Sequence, residues 1–486
     1  MRGVQGSGAA DRDAVTLPAL AIVGGSGAAL LATLAARAVM ARALAPAELG
    51  FVLLGVAVVS GVGGVASLGL AAAAGRRVAE LRAAGRIGHA QASGRSALAI
   101  ALAGGAAATA ALWAVAAALT LLPRSGSLPG VLGVLAPVAL GLAPGLAMVG
   151  VARGFGDFLG RPLIRDAAGG VLRLAAIAFA VSTGGGTRWI ALGFTAGSLA
   201  GELGFVAYGA RRGWLRRADV NGWDRELWRG LRPFSLMEVL NQLTQWVDML
   251  VLGALGAPAA VGFYGVARSL SRALEIVHLS AAHSFLPSAT AALHAGGRER
   301  FIRVYVRTRT LMFALLWPFL AVSIATPAVV ILPLFGASYL PAAPVLRVLA
   351  SALLVQVVFG YKDLALVALG SAASTARIGA FSFVAGVLVM LALVPRLGGS
   401  GAAAGVLVLA AVKGIAQAHV LSRTAGIRPW GEDVPPVVLA AAALTVAAWL
   451  LSLLAGSGAS TTARAVGGAA ASGSLLVFFS LVRSGR

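Results

Sequence analysis

The sequence predicts an all-α polytopic membrane protein. Of its 486 residues, 59% are hydrophobic and only 12% are charged, whereas soluble domains carry about 25% charged residues. Apolar runs recur along nearly the whole chain, and each is long enough to cross a bilayer, which takes roughly 20 residues. The connections between these runs alternate between arginine-rich and nearly uncharged. Together the three observations predict about fourteen transmembrane helices rather than a large soluble core.

The apolar runs predict where the spanning helices lie. Runs of spanning length fall near 17–40, 51–74, 96–122, 129–151, 163–182, 189–210, 233–256, 262–288, 310–334, 344–369, 374–394, 400–422, 435–455 and 462–482. The polar stretch before the first run lacks a convincing cleavage context. It therefore predicts a short cytoplasmic tail rather than a cleaved signal peptide.

Arginines mark one set of connections, and the other set is short and nearly uncharged. The arginine-rich set comprises 76–95, 153–165, 211–232, 298–309, 423–428 and 483–486. By the positive-inside rule these connections lie in the cytoplasm, which places both termini inside. The net charge of +22 is therefore attributed to topology rather than to nucleic-acid binding.

The composition argues against several kinds of site. The chain has no cysteine, which excludes disulfides and thiolate metal ligands. Its five histidines form no close ligand cluster, so no metal and no cofactor are predicted. The sequence contains no nucleotide-binding loop of the GxxxxGKS/T type, so ATP hydrolysis is not expected. The predicted outer loops are short and nearly devoid of acids, which argues against an enzyme.

A short repeat relates two halves of the chain. Residues 45–51 read APAELGF and residues 257–263 read APAAVGF, so five of seven positions are identical at an offset of 212. Both segments lie at the predicted outer turn between the first two helices of a half. Two six-helix bundles related in this way are a transporter architecture, with the substrate site between the bundles near mid-membrane.

The predicted organisation has four parts. They are an N-terminal six-helix bundle at 1–210, an amphipathic cytoplasmic linker at 211–232, a C-terminal six-helix bundle at 233–422 and an appended helix pair at 435–486. Trp214, Trp223 and Trp228 lie among the arginines of the linker. Because such segments bind at membrane interfaces, the linker is expected to lie along the inner leaflet.

Four segments carry a resemblance to a known family. They are RALAPAELGF at 42–51, VGFYGVARSL at 261–270, LFGASYLPAAP at 334–344 and PRLGGSGAAA at 395–404. In their order and their placement relative to the helices, the chain resembles the polysaccharide (O-antigen and exopolysaccharide) repeat-unit flippases. These belong to the multidrug/oligosaccharidyl-lipid/polysaccharide exporter superfamily. The resemblance spans essentially the whole chain, including the fourteen-helix count.

The resemblance implies an alternating-access flippase in the bacterial cell membrane. It would move a polyprenyl-diphosphate-linked oligosaccharide from the cytoplasmic to the outer leaflet for cell-surface polysaccharide biosynthesis. Its expected partners are this lipid-linked oligosaccharide, membrane lipids, and a polysaccharide polymerase or glycosyltransferases. A cationic cavity would suit the diphosphate and the sugars, while the lipid tail stays in the membrane through a lateral opening.

The hairpin at 234–293 carries unusual charge for a membrane segment. Arg268, Arg272 and Glu275 follow i, i+4, i+7 spacing and therefore share one helix face. The preceding helix carries its polar residues within about one third of its circumference. These residues are Glu238, Asn241, Gln242, Gln245 and Asp248. Charges at this depth are costly unless they face a wet or paired interior. The two faces are predicted to line a cavity, and the alternative is an internal salt bridge from Asp248 to Arg268 or Arg272.

The candidate site residues divide into two roles. Predicted substrate contacts are Arg268, Arg272, Arg37, Lys413, Gln242 and Gln245, of which the first two are expected to meet the diphosphate. Candidates for ion coupling or a cavity ion pair are Asp248, Glu238 and Glu275, because coupling needs a group that differs between the two states. Arg37 lies near the outer end of its helix, so snorkelling to the interface is an alternative role.

Other charged residues within the predicted spans are expected either to form structural ion pairs or to contact the substrate. Arg173 and Glu202 lie at similar depths and are predicted to form an ion pair. Lys362 and Asp363 are sequence neighbours, which indicates compensated charge. Lys413 has no obvious partner nearby in the sequence, so it is a candidate substrate contact.

Two other function classes stay open at this point. A cation-coupled multidrug exporter of the same superfamily should have an acidic, aromatic cavity, whereas this hairpin mixes arginine with acids. A membrane enzyme or a scaffold of polysaccharide assembly is the second alternative. An enzyme of this kind usually needs a sizeable outer loop with catalytic groups, and a scaffold has no need of charges in the hairpin.

Overall fold

The computed structural model describes residues 7–121, 126–216, 223–426, 445, 461–462, 464–470 and 472–473. The regular elements in these ranges are all helical, and no strand occurs among them. In the first half, α1 is Ser7–Ala43, α2 Pro46–Ala66, α3 Leu70–Ala83, α4 Ile87–Leu119, α5 Leu128–Leu135, α6 Val138–Gly154, α7 Gly169–Ser182 and α8 Thr187–Arg211. A π-helical segment, Arg161–Ala168, leads directly into α7.

The second half continues the all-helical pattern. Here α9 is Arg225–Leu255, α10 Pro258–Ala325, α11 Ala328–Phe335, α12 Ala343–Phe359, α13 Lys362–Ala368, α14 Ala372–Leu397 and α15 Gly399–Ala425. A 3₁₀ segment, Ala337–Ala342, lies between α11 and α12.

Eight helices in the described ranges are long and apolar enough to cross a membrane, or nine if the bent pair of α5 and α6 forms one span. The prediction of an all-α protein with many spans is therefore confirmed. The count of fourteen and the cytoplasmic placement of both termini stay predictions. Most of the appended pair predicted at 435–486 lies outside the described residues.

The helices form two compact units, Met1–Leu250 and Val251–Arg486. The boundary lies within α9, so most of this helix packs with the first unit. Ser235 Oγ donates a hydrogen bond to the Leu68 carbonyl over 2.9 Å, and the Phe234 carbonyl passes too close to Gly69 for any side chain there. The sequence analysis placed this helix in the second bundle, and the four-part organisation that it proposed stays a prediction.

Element α10 contains two helices that meet at a kink, in agreement with the separate helices that the sequence predicts at 262–288 and 310–334. Helical geometry runs from Pro258 to Ala325 and is interrupted at Gly296 and Gly297, where φ is −146° and +64°. The kink keeps the two predicted helices distinct, and the arginine-rich segment 298–309 that follows it is helical. Its arginines lie on a helix surface rather than in a loop.

The core of the first unit includes part of the predicted linker. Trp214 is buried, and its ring stacks on Phe155 and meets Tyr208 edge-on. The expectation that all three linker tryptophans lie along the leaflet is therefore wrong for Trp214, because its indole fills a gap between helices. Trp223 and Trp228 are exposed, and the segment from Arg225 onward is the start of α9.

Small residues let the helices approach closely, as is common in membranes. Gly169 and Gly201 face each other where α7 meets α8, and a methyl group on either would collide with the other helix. In the second unit, Phe313 and Trp317 of α10 stack at 5.2 Å between ring centroids. They pack in one buried cluster with α12 residues and with Val466. The described part of the C-terminal region thus packs into the second unit.

Candidate functional site

Arg268, Arg272 and Glu275 form one interacting group on α10. The guanidinium Nη1 atoms of Arg272 and Arg268 lie 3.1 Å and 3.5 Å from Glu275 Oε2. The predicted shared helix face is therefore confirmed. One carboxylate thus contacts two guanidinium groups of the same helix. Glu275 is 17% exposed and Arg272 is 40% exposed, which leaves the second arginine accessible to a ligand.

A break between α12 and α13 brings together a second set of charged residues in the second unit. Gly360 ends α12 with φ +67° and ψ −157°, a conformation that is essentially restricted to glycine. Lys362 follows the break and is buried. Its Nζ donates to the Gly414 carbonyl over 2.9 Å and lies 3.3 Å from the centroid of the Phe359 ring.

Asp363 and Lys413 form an ion pair across this break. Lys413 Nζ lies 3.2 Å from Asp363 Oδ2, so the expectation that Lys413 has no partner is wrong. The two residues are 50 positions apart in sequence, and for this reason inspection of local spacing missed the pair. The carboxylate of Asp363 is therefore paired with Lys413. Lys362 makes no ion pair with a carboxylate in the described part of the chain. We call Lys362, Asp363 and Lys413 together the helix-break cluster.

Two aromatic rings connect α10 to the helix-break cluster. Tyr361 stacks on His278, with 4.6 Å between ring centroids, and its hydroxyl donates to the His278 carbonyl over 2.7 Å. Tyr305 donates to the carbonyl of Phe359 over 2.6 Å, which satisfies a backbone acceptor at the end of α12. Neither tyrosine is among the predicted site residues. The glycine directly before the Tyr-Lys-Asp triplet at 361–363 is a signal that could have located Tyr361, whereas no such pattern marks Tyr305.

The polar residues of α9 divide between a packed face and an exposed face. Gln242 Nε2 donates to Glu238 Oε1 over 2.5 Å, and the Gln242 amide lies directly over Gly64 of α2, where a larger residue would collide. Gln245 and Asn241 are exposed. Asp248 is buried, and its Oδ1 accepts a hydrogen bond from the Met249 N–H over 2.8 Å. Their predicted roles in substrate binding and coupling stay predictions.

The first unit contains a buried ion pair between the π-helical segment and α8. Arg165 Nη2 and Nε donate to the two carboxylate oxygens of Glu202 over 2.7 Å and 2.8 Å. A Cβ at Gly145 would collide with this carboxylate, so the glycine makes room for it. The predicted pairing of Glu202 with Arg173 is therefore wrong. Arg173 instead lies over the Phe194 ring, 5.5 Å from its centroid.

Arg37 is half-buried on α1, and both its predicted role in substrate binding and the snorkelling alternative stay predictions. In the described part of the chain, no group of three or more histidine, aspartate or glutamate side chains could hold a metal ion.

Among the contacts described above in the second unit, basic side chains outnumber acidic ones. These contacts involve four basic side chains, Arg268, Arg272, Lys362 and Lys413, and two acidic ones, Glu275 and Asp363, and Arg309 of α10 is a further buried basic residue. Charges in a membrane interior mark pathways for ions or substrates. A broken helix at such a position is typical of transporter sites.

The comparison with known proteins reveals the fold. No family model matches the chain, and no curated protein matches it. An inward-facing multidrug resistance MATE family transporter of the MOP superfamily superposes with a TM-score of 0.65 at 19% identity, over 80% of this chain and 92% of that one. The eukaryotic MATE transporter AtDTX14 superposes with a TM-score of 0.57 at 15% identity, over 84% and 96%.

A third similar structure comes from Pyrococcus furiosus. It is a MOP superfamily transporter described as having a binding pocket of reverse polarity that suggests a different function, and it superposes with a TM-score of 0.50 at 17% identity, over 84% of this chain and 96% of that one. The fold of this chain is that of the MATE family transporters of the MOP superfamily.

Proposed function

We propose that this protein is a membrane transporter that moves an amphipathic organic solute across the bilayer by alternating access. The observation that carries the proposal is the superposition on MATE family transporters over about four fifths of the chain. The charged groups inside apolar helices add support, because their cost is tolerated where they face a substrate path or each other. Transport would be driven by an ion gradient or the membrane potential, since the sequence contains no nucleotide-binding loop.

The comparisons support multidrug export, the alternative in the sequence analysis, more directly than they support the flippase. Two of the similar structures are described as multidrug resistance or eukaryotic MATE transporters. An exporter of this kind would carry organic cations or other small amphipathic molecules. Glu238 and Asp248 would then be the candidate coupling groups.

A lipid-linked oligosaccharide is the second candidate cargo, and one specific observation favours it. The surplus of positive charge around Arg272 and Lys362 would attract a diphosphate and repel an organic cation. The resemblance of the sequence motifs to polysaccharide flippases points the same way. With this cargo the protein would act in a bacterial cell membrane beside a polymerase or glycosyltransferases. The Pyrococcus furiosus transporter, whose binding pocket of reverse polarity is described as suggesting a different function, is consistent with a second kind of cargo for this fold.

The two candidate cargos have opposite charge, so one reconstitution separates them. Purified protein in sealed vesicles is assayed in parallel for movement of a fluorescent organic cation and of a polyprenyl-diphosphate glycan, with protein-free vesicles as the control. Faster movement of the cation alone supports multidrug export, and faster movement of the glycan alone supports the flippase. If neither moves faster than in protein-free vesicles, the proposal of a transporter for these solutes is wrong.

A further inference from the structure

We propose that a cavity between the ends of α3 and α9 binds the phosphate headgroup of an anionic phospholipid. The cavity has a volume of about 550 Å³. It lies within the first unit and is separate from the charged groups considered for cargo. Its lining includes the charged residues Arg76, Arg77, Glu80, Glu226 and Arg229.

The lining arginines lie at the depth of lipid headgroups. Helices α2 and α3 form one apolar span, Pro46–Ala83, with a short break between Ala66 and Leu70. Arg76 lies 30 residues from its start, or about 45 Å at the helical rise. Arg229 is 26 residues from Leu255, the end of α9, or about 39 Å. A bilayer with its headgroup regions is about 40–45 Å thick. Both arginines therefore lie in the headgroup region opposite the turns that follow α1 and α9.

The arginines of the cavity differ in how strongly the protein already holds them. Arg77 is bound by two acids, at 3.1 Å from Asp224 and in closer contact with Glu226. Arg76 pairs with Glu80, but its side chain is 70% exposed, and such exposed pairs contribute little. Arg229 forms no ion pair with the described residues. Arg76 and Arg229 are therefore available to a phosphate, which arginine binds through paired N–H donors.

The surface beside the cavity suits the rest of a lipid. Trp228 is exposed next to Arg229, and tryptophan is enriched at the headgroup level of membranes. Farther along α9, Leu236, Leu240 and Leu243 are exposed and follow i, i+4, i+7 spacing, so they form one apolar strip. A phosphate site that continues into an apolar strip matches a phospholipid better than a free phosphate ion. Basic side chains at this level also attract anionic lipids.

The test uses the full-length protein in detergent and follows its thermal unfolding during titration with lipid. The probes are a short-chain phosphatidylglycerol, the matching phosphatidylcholine and inorganic phosphate. The variant Arg76→Gln/Arg229→Gln removes the two available arginines. The control Arg300→Gln/Arg307→Gln removes the same amount of charge from two exposed positions on α10. Both variants are first checked for an unchanged elution volume.

The proposal predicts that phosphatidylglycerol stabilises the wild type saturably and that phosphatidylcholine does not. The cavity variant should bind phosphatidylglycerol about 30-fold more weakly, and the control should bind like the wild type. Equal weakening in both variants would mean non-specific attraction and would overturn the proposal. Equal stabilisation by inorganic phosphate would overturn the assignment to a lipid. Failure of this site would leave the proposed transport function untouched, because the reconstitution assay does not depend on it.

Discussion

Glu275 holds two arginines of α10 that would otherwise repel each other. Replacing it in Glu275→Gln removes the charge that Arg268 and Arg272 share. We expect the free energy of unfolding to fall by about 1–3 kcal/mol, since two partly buried cations lose an ion-pair partner that they share. The measurement is chemical or thermal unfolding of the purified protein in detergent.

The same helix offers a matched control for this variant. Glu299 also pairs with an arginine, Arg303, but at 3.9 Å and with its side chain 90% exposed. Glu299→Gln should change the free energy of unfolding by less than about 0.5 kcal/mol. Equal effects of the two substitutions would show that Glu275 is not the centre of a stabilising group.

Arg165, rather than Arg173, is expected to stabilise the buried carboxylate of Glu202. Arg165→Met would leave the buried carboxylate without its bidentate partner and should lower the free energy of unfolding by about 3–5 kcal/mol. Arg173→Met removes a contact with the Phe194 ring and should cost about 1 kcal/mol. Unfolding curves of the two variants side by side test this order. A larger loss in Arg173→Met would contradict the assignment.

Spacing along one helix predicted the residue pairs that lie on one helix and failed for those that do not. Arg268, Arg272 and Glu275 belong to two turns of α10, so their shared face follows from helix geometry alone. The Lys413–Asp363 and Arg165–Glu202 pairs join different helices. Which helices meet, and at what height, depends on tertiary packing that no local pattern encodes.

At the scale of the element, Gly360 forms the break between α12 and α13, after which Lys362 is buried. In Gly360→Ala the residue must keep φ at +67°, and its Cβ would lie 3.0 Å from Arg309 Cγ. The free energy of unfolding should fall by about 1–3 kcal/mol. Gly379→Ala is the control, because this glycine lies in α14 with open space around it. Gly379→Ala should raise the free energy of unfolding by up to about 1 kcal/mol. A similar loss of stability in both variants would contradict the role of the Gly360 conformation in the break.

Asp224 caps the beginning of α9 outside the membrane spans. Its Oδ1 accepts from the N–H groups of Glu226 and Leu227, and its Oδ2 accepts from Arg77 over 3.1 Å. Burial raises the pKa of Asp224, but the hydrogen bonds from Arg77 and from the backbone outweigh burial and hold the pKa below its ordinary value. The ionised form therefore stabilises the folded protein.

This lowered pKa predicts a direction for the pH dependence of stability. The stabilisation is complete above the unfolded pKa of about 3.9 and is lost as the pH falls through the lower folded pKa. The wild type should exceed Asp224→Asn in unfolding free energy at about pH 6, and the difference should shrink toward pH 3. Unfolding followed across this range measures it, and a difference that does not change with pH would contradict the role of ionisation.

At the scale of the whole molecule, composition and the periodic apolar runs predicted the membrane class and most helix positions. They did not predict that most of α9 packs with the first unit, because the repeat at 45–51 and 257–263 relates sequence segments and not their packing partners. The arginine-rich segment 298–309 is itself helical, although a kink at Gly296 and Gly297 separates the two helices that the apolar runs predict. Arginine is a good helix former, so charge marks the membrane boundary but not the end of a helix.

The central claim is that cargo crosses the membrane through the polar interior of this fold, and flux in reconstituted vesicles tests it most directly. Wild type, Arg268→Gln/Arg272→Gln and the charge-matched Arg300→Gln/Arg307→Gln are compared at equal protein content. We predict that the wild type and the control move the cargo identified in the two-cargo assay faster than protein-free vesicles. If that cargo is anionic, the interior variant should lose about tenfold or more, since a contact to a charged group is worth roughly 1.5–3 kcal/mol. Flux no faster than in protein-free vesicles for either cargo would contradict the account.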